Sequence, residues 1–425
     1  VTALDERAPA TTVGAAGSAT TGGAGADVRQ QAVPPGLPVP DLSDAALAAV
    51  TARLATTAEE HDRTAAFPWR GIAAVHEAGL LTLGVAPRYG GTPLTAVDAV
   101  RVFEALGQGD PAVALIAAMT VLQHDAQARS PWWPEDVYRT LVARSAREPQ
   151  LLNAVRAEPE WGAPARGGLP ATTVRRDGDG WVLDGRKAFA TGSEGLTYHL
   201  VWAVDHDGPS GEPEVAHAVV PAGLPGVRVV RTWDHLGQRA TSTHDVVYDR
   251  VRIPDDHFVG APVSGPGGAA RRGEPGAGAI LSVPALYVGV ARAAQAFLVR
   301  FAHERVPTSL GRPIATTDRI AAVAGEVEAQ LVGAEELLLG LAARLDAGDE
   351  RARGRLVVAK LLATRAAVTA VETAVAALGN PALTRSHPLE RHLRDVLASR
   401  VHPPQDDAAL LAAGRASLAA LAPTS

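Results

Sequence analysis

A chain of 425 residues and 43.9 kDa is long enough for two or three packed units. With 47% of its residues apolar but only 4% aromatic, its core must be built mainly from Ala, Leu and Val, a composition that favours closely packed helices. A net charge of −6 without a long basic run excludes nucleic acid as the expected partner, and the absence of cysteine excludes disulfides, thiolate chemistry, iron–sulfur clusters and Cys-ligated zinc.

Residues 1–33 are Ala, Thr and Gly with scattered charges and no apolar period, which predicts a disordered tail. They contain neither a basic n-region nor an apolar h-region, and no charge-free run of transmembrane length follows, so the expectation is a cytoplasmic protein without a membrane partner. An all-helical unit is expected over 34–150. Ser43 or Asp44 can cap a helix over about 45–64, a second helix follows Pro68 and stops at Gly79, and further helices are expected over 94–106 and 112–128. Trp132-Trp-Pro134 reads as a turn feeding a short helix.

At Leu151 the apolar period changes from that of a helix to that of a strand. Strands flank the hairpin signal Asp177-Gly-Asp-Gly180 and recur near 200–204, 215–220, 227–232 and 243–251, which predicts an antiparallel β-sandwich or barrel over 151–265. A Gly-rich linker over 266–280 leads to long Ala-rich helices near 281–304, 317–345, 350–378 and 390–400, a four-helix bundle within 281–425. The chain is thus read as an α+β multidomain protein.

The residues themselves resemble the acyl-CoA dehydrogenase superfamily. The stretches that carry the likeness are Ala157-Glu-Pro159, Asp184-Gly-Arg-Lys-Ala-Phe-Ala-Thr-Gly-Ser193, Trp233-Asp-His-Leu-Gly-Gln-Arg239, Asp249-Arg-Val-Arg-Ile-Pro254, Gly289-Val-Ala-Arg292, His303-Glu-Arg305 and Arg394-Asp395. The resemblance implies a flavin between the β domain and the C-terminal bundle of a homo-oligomer, a dimer or tetramer. Ala157, Thr191 and Ser193 would lie near its ring, Arg305 near the phosphates of an adjacent subunit's flavin, and Gly379 and Asn380 at the nucleotide contact. Taken as residues alone, Thr191 and Ser193 read as a polar turn and Arg305 as a surface arginine. The chain departs from the family pattern at Ala157, where a Thr is usual, at Gly162-Ala-Pro164, where Gly-Ser-Asp is common, and at Gly379-Asn380, where paired glycines are usual.

Oxidation of an acyl thioester needs a carboxylate to take the α proton. Where the family carries it, a few residues past Arg394-Asp395, this chain has His402-Pro403-Pro404-Gln405, and the alternative family position falls on Ala279. Glu274, Asp406 and Asp407 are the acidic residues from which a shifted register could draw a base for an FAD-dependent dehydrogenase. The leading expectation is instead the branch resembling two-component flavin monooxygenases of sulfur heterocycles. These take reduced FMN or FAD from a separate flavin reductase and use O2 on a small-molecule substrate. For that chemistry the candidate catalytic residues are His402, stiffened by two following prolines, His124 in the N-terminal helices, and Ser242 with His244, which strand alternation places on one face. The remaining readings are a helix-end role for His402, a surface or interface role for His124, and a catalytically silent ligand-binding homologue. The histidines and acids form no metal-ligand pattern, so no metal is expected.

Overall fold

The computed structural model describes residues 36–160, 168–209, 211–262 and 275–420. The expected tail 1–33, the departure at 162–164 and Glu274 lie outside them. Ser43 does cap α1 (Asp44–Thr64), accepting the Ala46 N–H. After α2 (Trp69–Glu77) and α3 (Ala96–Gly109), Asp110 caps α4 by accepting from Ala112 and Val113, with Pro111 in its first turn. Helix α4 (Pro111–Arg129) is buried on nearly all sides, and α5 (Glu135–Ser145) closes the N-terminal part.

Among the described residues eight strands form one sheet: β1 (Leu152–Val155), β2 (Thr173–Asp177), β3 (Gly180–Ala190), β4 (Tyr198–Asp205), β5 (Glu214–Pro221), β6 (Val227–Val230), β7 (His244–Pro254) and β8 (Ala261–Pro262). The order is β6-β7-β3-β2-β4-β5-β8, with β1 on β4. The expected hairpin is present, Asp177 facing Gly180 across the β2–β3 turn. One detail departs from the antiparallel expectation: β1 and β2 each pair with β4 in parallel. The β2–β3 hairpin folds back as a unit, so the chain re-enters along β4 in the direction of both earlier strands.

The C-terminal helices are α6 (Ser282–Glu304), α7 (Asp318–Asp346), α8 (Glu350–Arg353), α9 (Leu356–Leu378), α10 (Asn380–Leu383), α11 (Leu389–Leu397) and α12 (Asp406–Ala420). The single helix expected over 350–378 is interrupted between α8 and α9, where Gly354 stands at the C-terminus of α8. Helix α12 was not foreseen. It begins after the prolines with Asp406 and Asp407 in its first turn, where acidic groups favour a helix N-terminus.

Helices from both sides of the β domain share one apolar core, with Leu54, Phe103 and Val113 in the same cluster as Leu286, Leu331 and Val371. The contact depends on two glycines. A Cβ at Gly107 would stand 2.1 Å from the Leu286 carbonyl oxygen, and one at Gly289 would stand 2.0 Å from that of Glu104, so α3 and α6 meet backbone to backbone. Gly289→Ala should cost about 2 kcal/mol or more, because no rotamer relieves a backbone clash. A fall in melting temperature checks it, and an unchanged transition would count against the contact.

Three histidines, His124, His199 and His392, are buried, and burial pushes their pKa values down to about 4, 4 and 3 respectively. They stay neutral in the folded chain while their unfolded counterparts take up protons below about 6.5. Stability present above that pH is therefore lost as pH falls from about 6.5 towards 4, by up to roughly 3 kcal/mol per group. Thermal melts between pH 8 and 4.5 should show that decline, and a flat profile would contradict it.

Candidate functional site

The site grows from a buried ion pair in the β domain. Lys187 on β3 points inward, its Nζ donating to Glu158 Oε1 at 2.7 Å, and the same carboxylate accepts from the Ala171 and Thr172 N–H groups and the Thr172 hydroxyl. Burial alone would raise the Glu158 carboxyl, but these donors outweigh it and hold it below its usual range, while burial lowers Lys187 to about 8. The bracket lays the 157–159 segment along β3, where the Ala157 carbonyl accepts the Ala188 N–H at 2.9 Å.

Register shifts between Lys187 and Ala190, and Phe189 takes a left-handed φ of 55°. Phe189 is turned outward, 59% exposed, with ring centres 6.5 Å from Trp233 and 6.3 Å from His235. Trp233 and His235 stack at 3.5 Å, their planes 13° apart. Left-handed φ is uncommon for a residue other than glycine, and such strain persists only where the surroundings hold it.

Beside this platform lies a nest of hydroxyls. The Thr191 hydroxyl accepts from Thr243, and the Thr191 carbonyl from Asn153 Nδ2. The Ser193 hydroxyl donates to the Ser242 carbonyl at 2.6 Å, and the Ser242 hydroxyl donates to Glu194 Oε2 at 3.1 Å. His244 Nδ1 accepts the Thr232 and Trp233 N–H groups, which places the proton on Nε2, 3.7 Å from Glu194. Burial lowers the His244 pKa, partly opposed by Glu194. Thr191, Ser193, Ser242 and His244 are thus brought together. The physical reason is not the expected alternation, since Ser242 precedes β7 with φ 48°, and Ser242 and His244 converge instead on Glu194.

The turn after α11 carries His402, partly buried, its ring 5.6 Å from that of Tyr287 on α6. Lys360 on α9 holds both sides of the turn, its Nζ donating to the Ser399 carbonyl at 3.2 Å and to the Pro404 carbonyl at 3.1 Å. Burial, helped by the Lys360 charge, depresses His402 to about 4, so its imidazole is neutral at ordinary pH. Of the acids considered as a replacement base, Asp406 is engaged by Arg365 at 2.8 Å, and Asp407 shares the first turn of α12. Ala279 lies in a buried apolar turn.

His124 is placed elsewhere, buried in the N-terminal helices with Nδ1 3.0 Å from the Tyr138 hydroxyl; among the described residues no hydrogen bond or ring contact joins it to the hydroxyl nest or to His402. Arg305 is exposed at the C-terminus of α6. Gly379 and Asn380 form an exposed corner between α9 and α10, where Gly379 is required by its φ of 65° and not by crowding. Sequence reasoning missed Phe189, Glu194 and Lys360. Only Lys360 left a trace, a lone lysine in the first apolar turn of α9.

The parts converge on one junction. Arg394 on α11 donates to both Asp62 oxygens on α1, at 2.8 and 2.6 Å, to Glu390 and to the Leu236 carbonyl, while the neighbouring Asp395 accepts the Gln238 N–H at 2.6 Å.

Three family models match in chain order: the N-terminal domain of acyl-CoA dehydrogenase over 41–126, the middle domain over 154–251 and the C-terminal domain over 281–405. The chain belongs to the acyl-CoA dehydrogenase family. It is 34% identical over 359 residues to "Putative acyl-CoA dehydrogenase YdbM" of Bacillus subtilis (strain 168), covering 83% of this chain and 91% of that one. It is 30% identical over 391 residues to L-evernosamine nitrososynthase of a Micromonospora species, covering 88% of each. Among solved structures, KijD3 in complex with FMN and a dTDP-linked amino-keto sugar superposes with a TM-score of 0.76 at 26% identity, over 91% of this chain and 97% of that one.

Lys360→Met removes a cation that opposes protonation of His402, so the His402 pKa should rise from about 4 yet stay below its ordinary value, because burial is the larger cause. Imidazole titration by NMR reads this directly, and no movement would mean that Lys360 does not act on the ring.

Proposed function

We propose that this protein is a flavin-dependent monooxygenase that takes reduced FMN or FAD from a separate reductase and uses O2 to oxygenate a heteroatom of a small organic substrate. The observation that carries the reading is the turn after α11: Lys360 clamps a turn with a neutral His402, and by count from Arg394-Asp395 the next residue, Pro403, falls where a dehydrogenase of this family would carry its carboxylate. Two relatives support it, one named for nitroso synthesis and one solved with FMN and an amino sugar, which makes an amine nitrogen the first centre to try. The name of the Bacillus relative favours the alternative, acyl-CoA oxidation through an FAD.

The residues present fit a flavin. Phe189 and Trp233 offer an apolar edge for its ring, Thr191 and Ser193 lie at the adjoining turn, and Arg305, Gly379 and Asn380 are exposed on the helical part where a second copy's cofactor can reach them. The bound group supplies the electrons that activate O2. The chain's own part is local: the neutral His402 can donate from one ring nitrogen and accept at the other, and Tyr287 beside it keeps its phenolic proton because burial raises its pKa. Exposed Val332 on α7, Leu362 on α9, and Leu410, Leu411 and Leu418 on α12 support assembly with further copies of the chain, which light scattering tests.

Two assays separate the alternatives. With reduced FMN or FAD supplied by a reductase, O2 should be consumed, whereas butyryl-CoA with oxidised FAD and an acceptor dye should give no turnover; dye reduction by butyryl-CoA would overturn the reading. His402→Ala should lower product about a hundredfold, roughly 3 kcal/mol, while O2 consumption continues and hydrogen peroxide accumulates.

Phe189→Gly relieves a left-handed backbone strain, so stability should stay within about 1 kcal/mol of the parent while flavin affinity falls. Thermal melts and flavin titration measure the two effects, and a large loss of stability with unchanged affinity would return Phe189 to a packing role.

A further inference from the structure

Strand β6 leaves the sheet after Val230, its last residue paired with β7, opposite Asp245. Beyond that point the Thr232 and Trp233 N–H groups need acceptors that the ladder no longer supplies. One side chain serves both. His244, the first residue of β7 and only 8% exposed, accepts them at Nδ1, at 3.1 and 2.9 Å. Thr232 is fixed a second time, its hydroxyl donating to Asp245 Oδ1 at 3.0 Å and accepting the Asp245 N–H at 3.1 Å. The residue held in this way, Trp233, is the one on which His235 stacks and which stands beside Phe189.

A neutral imidazole has one donor nitrogen and one acceptor, so the arrangement exists only while Nδ1 carries no proton. The surroundings select that form. Glu194, in the turn between β3 and β4, lies 3.7 Å from Nε2, with Arg231 Nε donating to its other oxygen at 2.9 Å and the Ser242 hydroxyl donating to it at 3.1 Å. Asp245, next to His244 on β7, is engaged by Arg186 of β3 at 2.7 Å. Burial is the larger influence and, with Arg231, disfavours the imidazolium, while Glu194 and Asp245 favour it. His235, the other titratable group of the platform, has Asp234 beside it. A proton on Nδ1 of His244 would point at two N–H groups that now donate to it, and both would lose their acceptor.

We infer that His244 is a positioning residue: its unprotonated Nδ1 latches the Trp233–His235 platform to β7, and a proton there releases it. His244 then acts through Trp233 and not on a reacting atom. The consequence for binding rests on the proposed flavin site, whereas the latch is a property of the chain alone.

Hydrogen exchange of residues 231–236, read by mass spectrometry on the full chain, and titration with FMN test this in the parent, His244→Leu and His244→Asn. Leucine offers no acceptor, whereas asparagine carries its Oδ1 at the same place along the side chain and does not titrate. The two amides should exchange about tenfold faster in His244→Leu and regain protection in His244→Asn. FMN should bind about tenfold more weakly to His244→Leu and close to parental strength to His244→Asn. In the parent, FMN affinity should fall as pH drops below about 6.5, towards the lowered pKa of His244, and His244→Asn should show a flatter profile. Parental exchange in His244→Leu, or equal acceleration in both variants, would overturn the latch. If His244→Leu does not fold, identical pH profiles for the parent and His244→Asn would overturn it instead. Failure of the parent to bind FMN would count against the flavin reading and leave hydrogen exchange to decide the latch.

Discussion

Everything that faces the site hangs on one arginine. Arg394 reaches Asp62 with two nitrogens and Glu390 with two hydrogen bonds, and it still holds the Leu236 carbonyl, so a single side chain of α11 ties α1 to the loop that follows β6. A lysine could not do this, since the planar fork is what lets one cation satisfy two carboxylates at once. The pairs are largely withdrawn from solvent, where a lost partner leaves an uncompensated charge and costs several kcal/mol. Gly237 belongs to the same clasp: a Cβ there would stand 2.1 Å from the Arg394 carbonyl oxygen, so the loop lies directly on the helix. Asp395 completes it by accepting from Gln238, fully buried and pushed up to about 7 by that burial. The loop so fixed carries Trp233 and His235, and the helix so fixed leads into the turn that carries His402. The two walls are therefore registered to each other by the junction rather than by direct contact.

Strain gathers along the same walls. Among the described residues, five that are not glycine adopt positive φ, and three of them, Phe189, Gln238 and Ser242, belong to the platform, the clasp and the hydroxyl nest. Such conformations persist only where their surroundings over-determine them. The surroundings here are polar and buried: Lys187 on Glu158 behind Phe189, Asp395 on Gln238, and Ser193 with Glu194 on Ser242. The β domain keeps charge in its interior because a geometry presenting an aromatic ring outward needs directional bonds behind it, which apolar packing alone does not supply.

What could be read from the sequence follows from how local each signal is. The helices from Ser43 onward, the Asp110 boundary and the hairpin at Asp177-Gly-Asp-Gly180 are written in neighbouring residues, and they stand where expected. Gly289-Val-Ala-Arg292 and Arg394-Asp395 were legible only as family marks. Their tasks were not, because the groups that explain them lie far away in the chain: Glu104 and Glu335 for the first, Asp62 and Gln238 for the second. Lys360 was hidden for a different reason, since a lysine in an apolar helix reads as a solvated face until the 399–404 turn is seen to fold over it. Helix α12 escaped because it buries little beyond Ala409 and carries no strong apolar stripe.

The chemistry of the turn over 402–405, which carries no carboxylate, is best understood through Lys360. A carboxylate in that turn would sit beside a buried cation, which favours its charged form and makes it a weaker base for an α proton. A neutral histidine has the opposite fit: burial, helped by the cation, keeps it unprotonated, so the turn pairs a neutral imidazole with a positive charge. Positions 402–405 carry no carboxylate, and electrostatic interactions in this partly buried turn are stronger than they would be in water. Lys360, His402 and the two prolines that follow it are therefore coupled, and substituting any of them changes the field or the shape of the turn.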